Sequence, residues 1–132
     1  MLFLTVSDVL ESHQCQIEIY GGSPGIRDRG LLESAIAQPQ TTFGGQYLHA
    51  DVFEMAAAYL YHLVMNHPFV DGNKRVGLEA ALVFLEINDA GVDASDDELV
   101  NLVLHATSGA ANKREIADFF RSHQVAADGQ QS

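Results

Sequence analysis

The sequence predicts an all-α fold, a bundle of about six helices around a central buried hydrophobic helix, with one short flap. Three observations lead there. Apolar residues recur at helical spacing almost throughout the 132 residues. Most of these runs follow a side chain able to cap a helix. Only residues 41–47 are β-prone, and they are hinged by glycine.

Taken in order, Ser7 is the expected cap of a first helix running to about Gln16, with Val6, Val9 and Leu10 inward. The Gly21-Gly22-Ser23-Pro24-Gly25 cluster forces a loop. Asp28 caps a second helix with Leu31, Leu32, Ala35 and Ile36 on one face and Pro39 beyond its end. Thr41 to Tyr47 forms the flap. Asp51 caps a third helix, whose stripe of Phe53, Ala56, Ala57, Leu60 and Val64 is amphipathic. It stops near Asn66, because Pro68 disfavours the α conformation in the residue before it.

A fourth helix, roughly Asn73 to Asn88, carries Val76, Ala80, Val83, Phe84 and Ile87 on one face and Leu78, Leu82 and Leu85 on another. Apolar nearly all round, it is the expected central helix. Ser95 to Glu98 is a capping box for a fifth helix. Asn112 to Glu115 repeats that logic for a sixth, with Ile116, Phe119 and Phe120 facing in. Residues 1–123 read as a single domain, and the small polar residues 124–132 as a flexible tail.

Composition narrows the function. A formal net charge of −11 argues against a nucleic-acid surface, which needs clustered cations. No basic leader and no apolar run of about 20 residues is present, so a soluble, cytoplasmic protein away from membranes is expected. Cys15 is alone, which fits a reducing compartment, and reads as a small buried hydrophobe. His13, His49, His62, His105 and His123 are scattered. His62 and His67 are five apart, wrong for an i, i+4 zinc pair.

The chemistry concentrates in His67-Pro68-Phe69-Val70-Asp71-Gly72-Asn73-Lys74-Arg75, directly before the fourth helix. Singly, each piece has an ordinary structural reading as a helix stop, a turn or a solvated charge. Jointly they form a parts list. His67 can accept a proton near neutral pH. Asp71 is a hard oxygen ligand suited to Mg²⁺. Gly72 lets backbone approach a phosphate, Asn73 offers an amide, and Lys74 and Arg75 neutralise charge. A helix start adds free N–H groups and the positive end of its dipole. Base, metal ligand and anion cradle suit transfer from a nucleotide to a hydroxyl.

This stretch resembles the signature of the Fic/Doc family, H-P-F-x-(D/E)-G-N-(G/K)-R-x-x-R. Gly25-Ile26-Arg27-Asp28-Arg29-Gly30-Leu31 and Thr42-Phe43-Gly44-Gly45 are similar to the Doc (death-on-curing) branch, and the likeness spans nearly all of residues 1–123. Two positions depart from the broader Fic pattern: Lys74 stands for a second glycine and Leu78 for a second arginine. Lys in the first place is the Doc-type variant.

The resemblance implies a toxin with kinase activity, which binds ATP with Mg²⁺ in the reverse sense to Fic enzymes. Its γ-phosphate would pass to a protein threonine, the family target being elongation factor Tu. A Phd-type antitoxin would bind as a helix in a groove, expected between the first two helices with Glu11 or Glu33 on its rim. By the same resemblance, His67 is the base, and Asp71 the Mg²⁺ ligand that also helps orient it. Gly72, Asn73, Lys74 and Arg75 hold phosphate, and Thr41–Tyr47 docks the target. An AMP transferase and a degenerate, non-catalytic binding module remain as alternatives. Arg27 and Arg29 could reach the nucleotide, and Arg27 could equally pair structurally with Asp28 or Glu33.

Overall fold

A computed structural model describes residues 1–125; the greater part of the expected tail, 126–132, lies outside them. Six α-helices form the domain: α1 (Val6–Tyr20), α2 (Arg29–Ala37), α3 (Val52–Asn66), α4 (Asn73–Ile87), α5 (Asp96–Thr107) and α6 (Lys113–Ser122). A 3₁₀ turn at Gln38–Gln40 leads from α2 into a hairpin of β1 (Thr42–Phe43) and β2 (Gln46–Tyr47).

The caps at Asp28, Asp51, Ser95 and Asn112 each accept a hydrogen bond from the backbone N–H three residues on. The first helix differs from the sequence expectation. Its cap is Thr5, and Asp8 completes a reciprocal capping box with it. The reason is local: three residues after Thr5 comes an acid, whereas three after Ser7 comes Leu10. The helix also passes Gln16 and runs to Tyr20, since nothing breaks it before Gly21.

The central helix is α3, not α4. Met55 through Leu60 are buried without interruption, so every face of this segment is enclosed. Around it pack α2, α4, α5 and α6. α4 lies along α3 but leaves one side in water, with Val83 and Ile87 exposed. The two helices approach closely at Gly77. A methyl there would sit 2.9 Å from Val64 Cγ2 and 3.3 Å from the Leu60 carbonyl oxygen. Cys15 faces outward on α1 rather than into the core.

The hairpin pairs Thr42 with Tyr47 and Phe43 with Gln46, antiparallel. Gly44 and Gly45 both have positive φ, 61° and 81°, as a two-residue turn with the twist of the strands requires. Both strands are exposed. At the other terminus, Gln124 bridges Val92, and Val125 donates to the Gly91 carbonyl at 2.8 Å. The first two residues of the expected tail are therefore tied to the domain. Among the described residues, no helix is long and apolar enough to cross a membrane.

Candidate functional site

The loop between α3 and α4 gathers the conspicuous side chains of the sequence. His67, Val70, Asp71, Gly72, Asn73, Lys74 and Arg75 line one open cavity of about 380 Å³. Its floor is the start of α4. The other five α-helices have a side-chain cap; α4 begins at Gly72, left-handed at φ 80° and with no capping side chain. The N–H groups of its first turn therefore face the cavity without an intrahelical partner. Lys74 and Arg75 are exposed and form no ion pair among the described residues. The Arg75 guanidinium lies over the Tyr20 ring, 4.6 Å from its centroid.

His67 closes α3 in the left-handed conformation, φ 49° and ψ 54°. Non-glycine residues adopt it at a cost of about 1–2 kcal/mol. What compensates is a pair of bonds from Arg27. Its Nε donates to the His67 carbonyl at 2.6 Å and its Nη2 to the Asn66 carbonyl at 2.8 Å. The surrounding backbone is stitched as well. Arg27 and Asp28 N–H donate to the Pro68 carbonyl, and Val70 N–H donates to Gly25. The Gly25–Asp28 segment is thus a clip on the loop. Arg27 acts as a helix cap and does not reach for the cavity, while Arg29 pairs with Glu33 at 3.2 Å.

Asn73 is buried, and its amide is committed inside the loop. The Phe69 N–H donates to Oδ1 at 2.9 Å, and Nδ2 donates to the Phe69 carbonyl at 3.0 Å. That fixes which end is which, so Nδ2 also faces His67 Nδ1, at 3.3 Å. A phosphate-holding role was expected of this side chain. In the structure the side chain braces the loop and lies beside the histidine ring, while its backbone N–H belongs to the open first turn of α4. Asp71 has no hydrogen bond to His67; the ring's neighbour is Asn73.

The Asp71 carboxylate is held from two sides. Gly72 N–H donates to Oδ1 at 3.0 Å and Ser23 N–H donates to Oδ2 at 3.2 Å. Gly22 permits this approach, because a Cβ there would lie 2.7 Å from Oδ2, and its φ is +113°. Each oxygen keeps a further lone pair toward solvent, so the group remains competent as a metal ligand.

The contributors that the motif does not contain come from α1 and the 22–28 loop. His13 is buried and stacks on Phe69, with ring centroids 3.7 Å apart and planes 7° from parallel. Its Nε2 is 2.7 Å from the Asp71 carbonyl oxygen. Its spacing from Val9 and Leu10, at i+4 and i+3, places it on the inward stripe of α1, a signal present in the sequence.

The chain is similar to proteins of one known family. Residues 3–85 match the model of the Fic/DOC family. A protein named "Protein kinase doc" from Escherichia phage P1 is 34% identical over 122 residues, 92% of this chain and 94% of the relative. A protein named "Toxin Doc" from Mycolicibacterium smegmatis is 43% identical over 112 residues, 80% of this chain and 86% of the relative.

Proposed function

The chain belongs to the Fic/DOC family, and from that premise we propose that it is a Doc-like toxin, a protein kinase that moves the γ-phosphate of ATP to a serine or threonine hydroxyl of a target protein. One observation carries the reading: the only α-helix start without a side-chain cap among the described residues faces a cavity that also holds His67, Asp71 and two cations free of carboxylates. A nucleotide's phosphates would find there free N–H groups, the positive end of a helix dipole and the Lys74 and Arg75 charges. The residues also fit Mg²⁺, since Asp71 is a partly solvated carboxylate at the edge of the anion cradle. When bound, the ion would neutralise phosphate charge.

The work left to the protein is positioning and proton management. In the forward step the target oxygen bonds to the γ-phosphorus, the bond to the β-phosphate oxygen breaks, ADP leaves, and the hydroxyl proton passes to His67. Asn73 donates to Nδ1 as the loop stands, which places the neutral ring's proton on Nε2. Accepting a proton at Nε2 requires the other tautomer. With the proton on Nδ1 the ring would present a donor to the Asn73 amino group, so this tautomer requires the exposed ring to turn away from the 3.3 Å contact.

Lys74 and Leu78 favour the kinase over AMP transfer, because the second glycine and second arginine of the Fic pattern are both missing. The exposed hairpin around Phe43 offers a free edge for docking the target's backbone by strand addition, with elongation factor Tu as the first candidate target.

A Phd-type antitoxin segment is the proposed partner, and its groove is the one between α1 and α4. That groove, about 360 Å³, is lined by Leu4, Val9, Cys15, Ile19 and Val83, with Asp8, Glu11 and Glu79 at its rim. α2 does not line it, so this proposal differs from a groove between the first two helices. Glu11 lines this groove, and Glu33 is engaged by Arg29 on α2.

The test is incubation with elongation factor Tu and ATP labelled at either phosphate. Label transferred from the γ position supports the kinase, and label from the α position instead would establish AMP transfer. No label on any target, together with no growth arrest on expression, would leave a binding module.

A further inference from the structure

His13 takes no part in the chemistry above, yet it touches the one peptide that joins the proposed metal ligand to the helix start. The Asp71 carbonyl can only accept, so at 2.7 Å His13 Nε2 carries the proton and donates. In a trans peptide the C=O and the following N–H point in opposite directions. Holding the Asp71 oxygen down toward α1 therefore turns the Gly72 N–H up, where it donates to Asp71 Oδ1 at 3.0 Å.

The hydrogen bond from α1 thus holds the 71–72 peptide whose Gly72 N–H, together with Ser23 N–H, seats the carboxylate at the start of α4. The seat is rigid. The ring is sandwiched on Phe69, and the hydrogen side of Gly72 lies against it, a Cβ there being 3.5 Å from Nε2. Ile17, one turn further along α1, fills the space beside Gly22 and Gly72.

We propose that His13 is a positioning residue for phosphate binding. It sets the anion cradle, while the backbone of His67 is secured from the other side by Arg27. The assignment rests on the phosphotransfer reading of this site. A packing role alone would be met by any apolar side chain against Phe69. The positioning role requires a donor aimed at the carbonyl.

Two variants separate these possibilities. His13→Leu keeps bulk and loses the donor, whereas His13→Gln restores a donor without the aromatic stack. In labelled-ATP transfer, His13→Leu is expected to raise the KM for ATP about tenfold, toward the 10²-fold loss that misplacement can cause, with kcat changing little. His13→Gln should recover most of that loss. His67→Ala should do the reverse, lowering kcat at unchanged KM. An unchanged KM in folded His13→Leu, or a Gln variant no better than Leu, would overturn the proposal.

A second readout does not depend on activity. Backbone amide NMR of the protein without nucleotide should show the Gly72, Asn73 and Lys74 resonances displaced in His13→Leu and restored in His13→Gln, with Glu115 on α6 unmoved. Those shifts without any transfer by the wild type would keep the positioning role and discard the kinase. Amides of residues 72–74 indifferent to His13→Leu would discard the positioning role whatever the activity.

Discussion

Arg27 closes the helix that presents His67: two of its nitrogens donate to the last carbonyls of α3, one of them His67's own. A residue 40 positions earlier in the chain therefore holds the proposed base in its left-handed conformation. Removing the side chain in Arg27→Ala should cost about 1–2 kcal/mol, two charge-assisted bonds discounted for exposure. Transfer should fall further than that loss of folded protein explains. Arg27→Lys, with one point charge in place of a fork, should recover part of the stability and less of the activity. Urea titration beside a transfer assay checks this, and equal losses in both would remove the link to His67.

His67 itself should separate chemistry from folding. Its side chain is exposed, so His67→Ala should leave the domain folded while cutting transfer about 10²–10⁴-fold. The backbone adds a second expectation. At φ 49° glycine is tolerated and alanine is strained, so His67→Gly should be more stable than His67→Ala by about 1 kcal/mol. Both should be inactive. Calorimetry of the pair settles the conformational part, and unchanged transfer by folded His67→Ala would end the base assignment.

Lys74→Gly should lose γ-phosphate transfer without gaining efficient AMP transfer, because Leu78 still stands where the Fic pattern has an arginine. Lys74→Gly with Leu78→Arg is the fairer test of a switch, and α-labelled ATP reads it. Intact γ transfer in Lys74→Gly alone would show that Lys74 is not needed for the kinase step.

The fourth expectation concerns pH and lies away from the site. Burial, then the Lys113 charge and His49, push His62 down to about 4, and Lys113 Nζ donates to its Nε2 at 3.1 Å. An unfolded His62 takes up a proton near its ordinary 6.5, while the folded one resists until about 4. The stability it contributes is complete above 6.5 and is lost as pH falls toward 4. His49, lowered chiefly by burial, acts in the same direction. His123, raised by the Phe119 carbonyl and by Glu98, acts in the opposite one from the surface. His62→Gln keeps an acceptor for Lys113 and does not titrate. Its urea midpoint should fall less between pH 7 and 4.5 than the wild type's, and parallel curves would refute the linkage.

Helix starts were legible where cap and partner lie within four residues, as at Asp28, Asp51, Ser95 and Asn112. Thr5 was obscured by Ser7 because both are good caps and only the acid at Asp8 separates them. Periodicity reported that α4 is apolar on several faces. It did not report that Ala56 to Ala58, small and uncharged, let four neighbouring helices close around α3. The motif was legible because its residues are contiguous. The contacts that support it were not: the inward stripe of α1 places His13, but His13, Ser23 and Arg27 act across 40 to 58 positions through backbone carbonyls and N–H groups. Every residue type has those groups, so nothing in the motif announces its partners. Asn73 is ambiguous for a related reason, since an amide suits a phosphate and a loop equally well.

The hairpin's exposure bears on how such a protein diversifies. β1 and β2 place no side chain in the core, and a glycine pair makes their turn. Its residues can drift, lengthen or be exchanged while α3 and α4 keep their packing and the cavity keeps its lining. If the hairpin selects the target, selectivity and chemistry sit on separately mutable parts of one small chain. A new victim could then be acquired by rewriting a handful of codons, with no repair needed in the catalytic half.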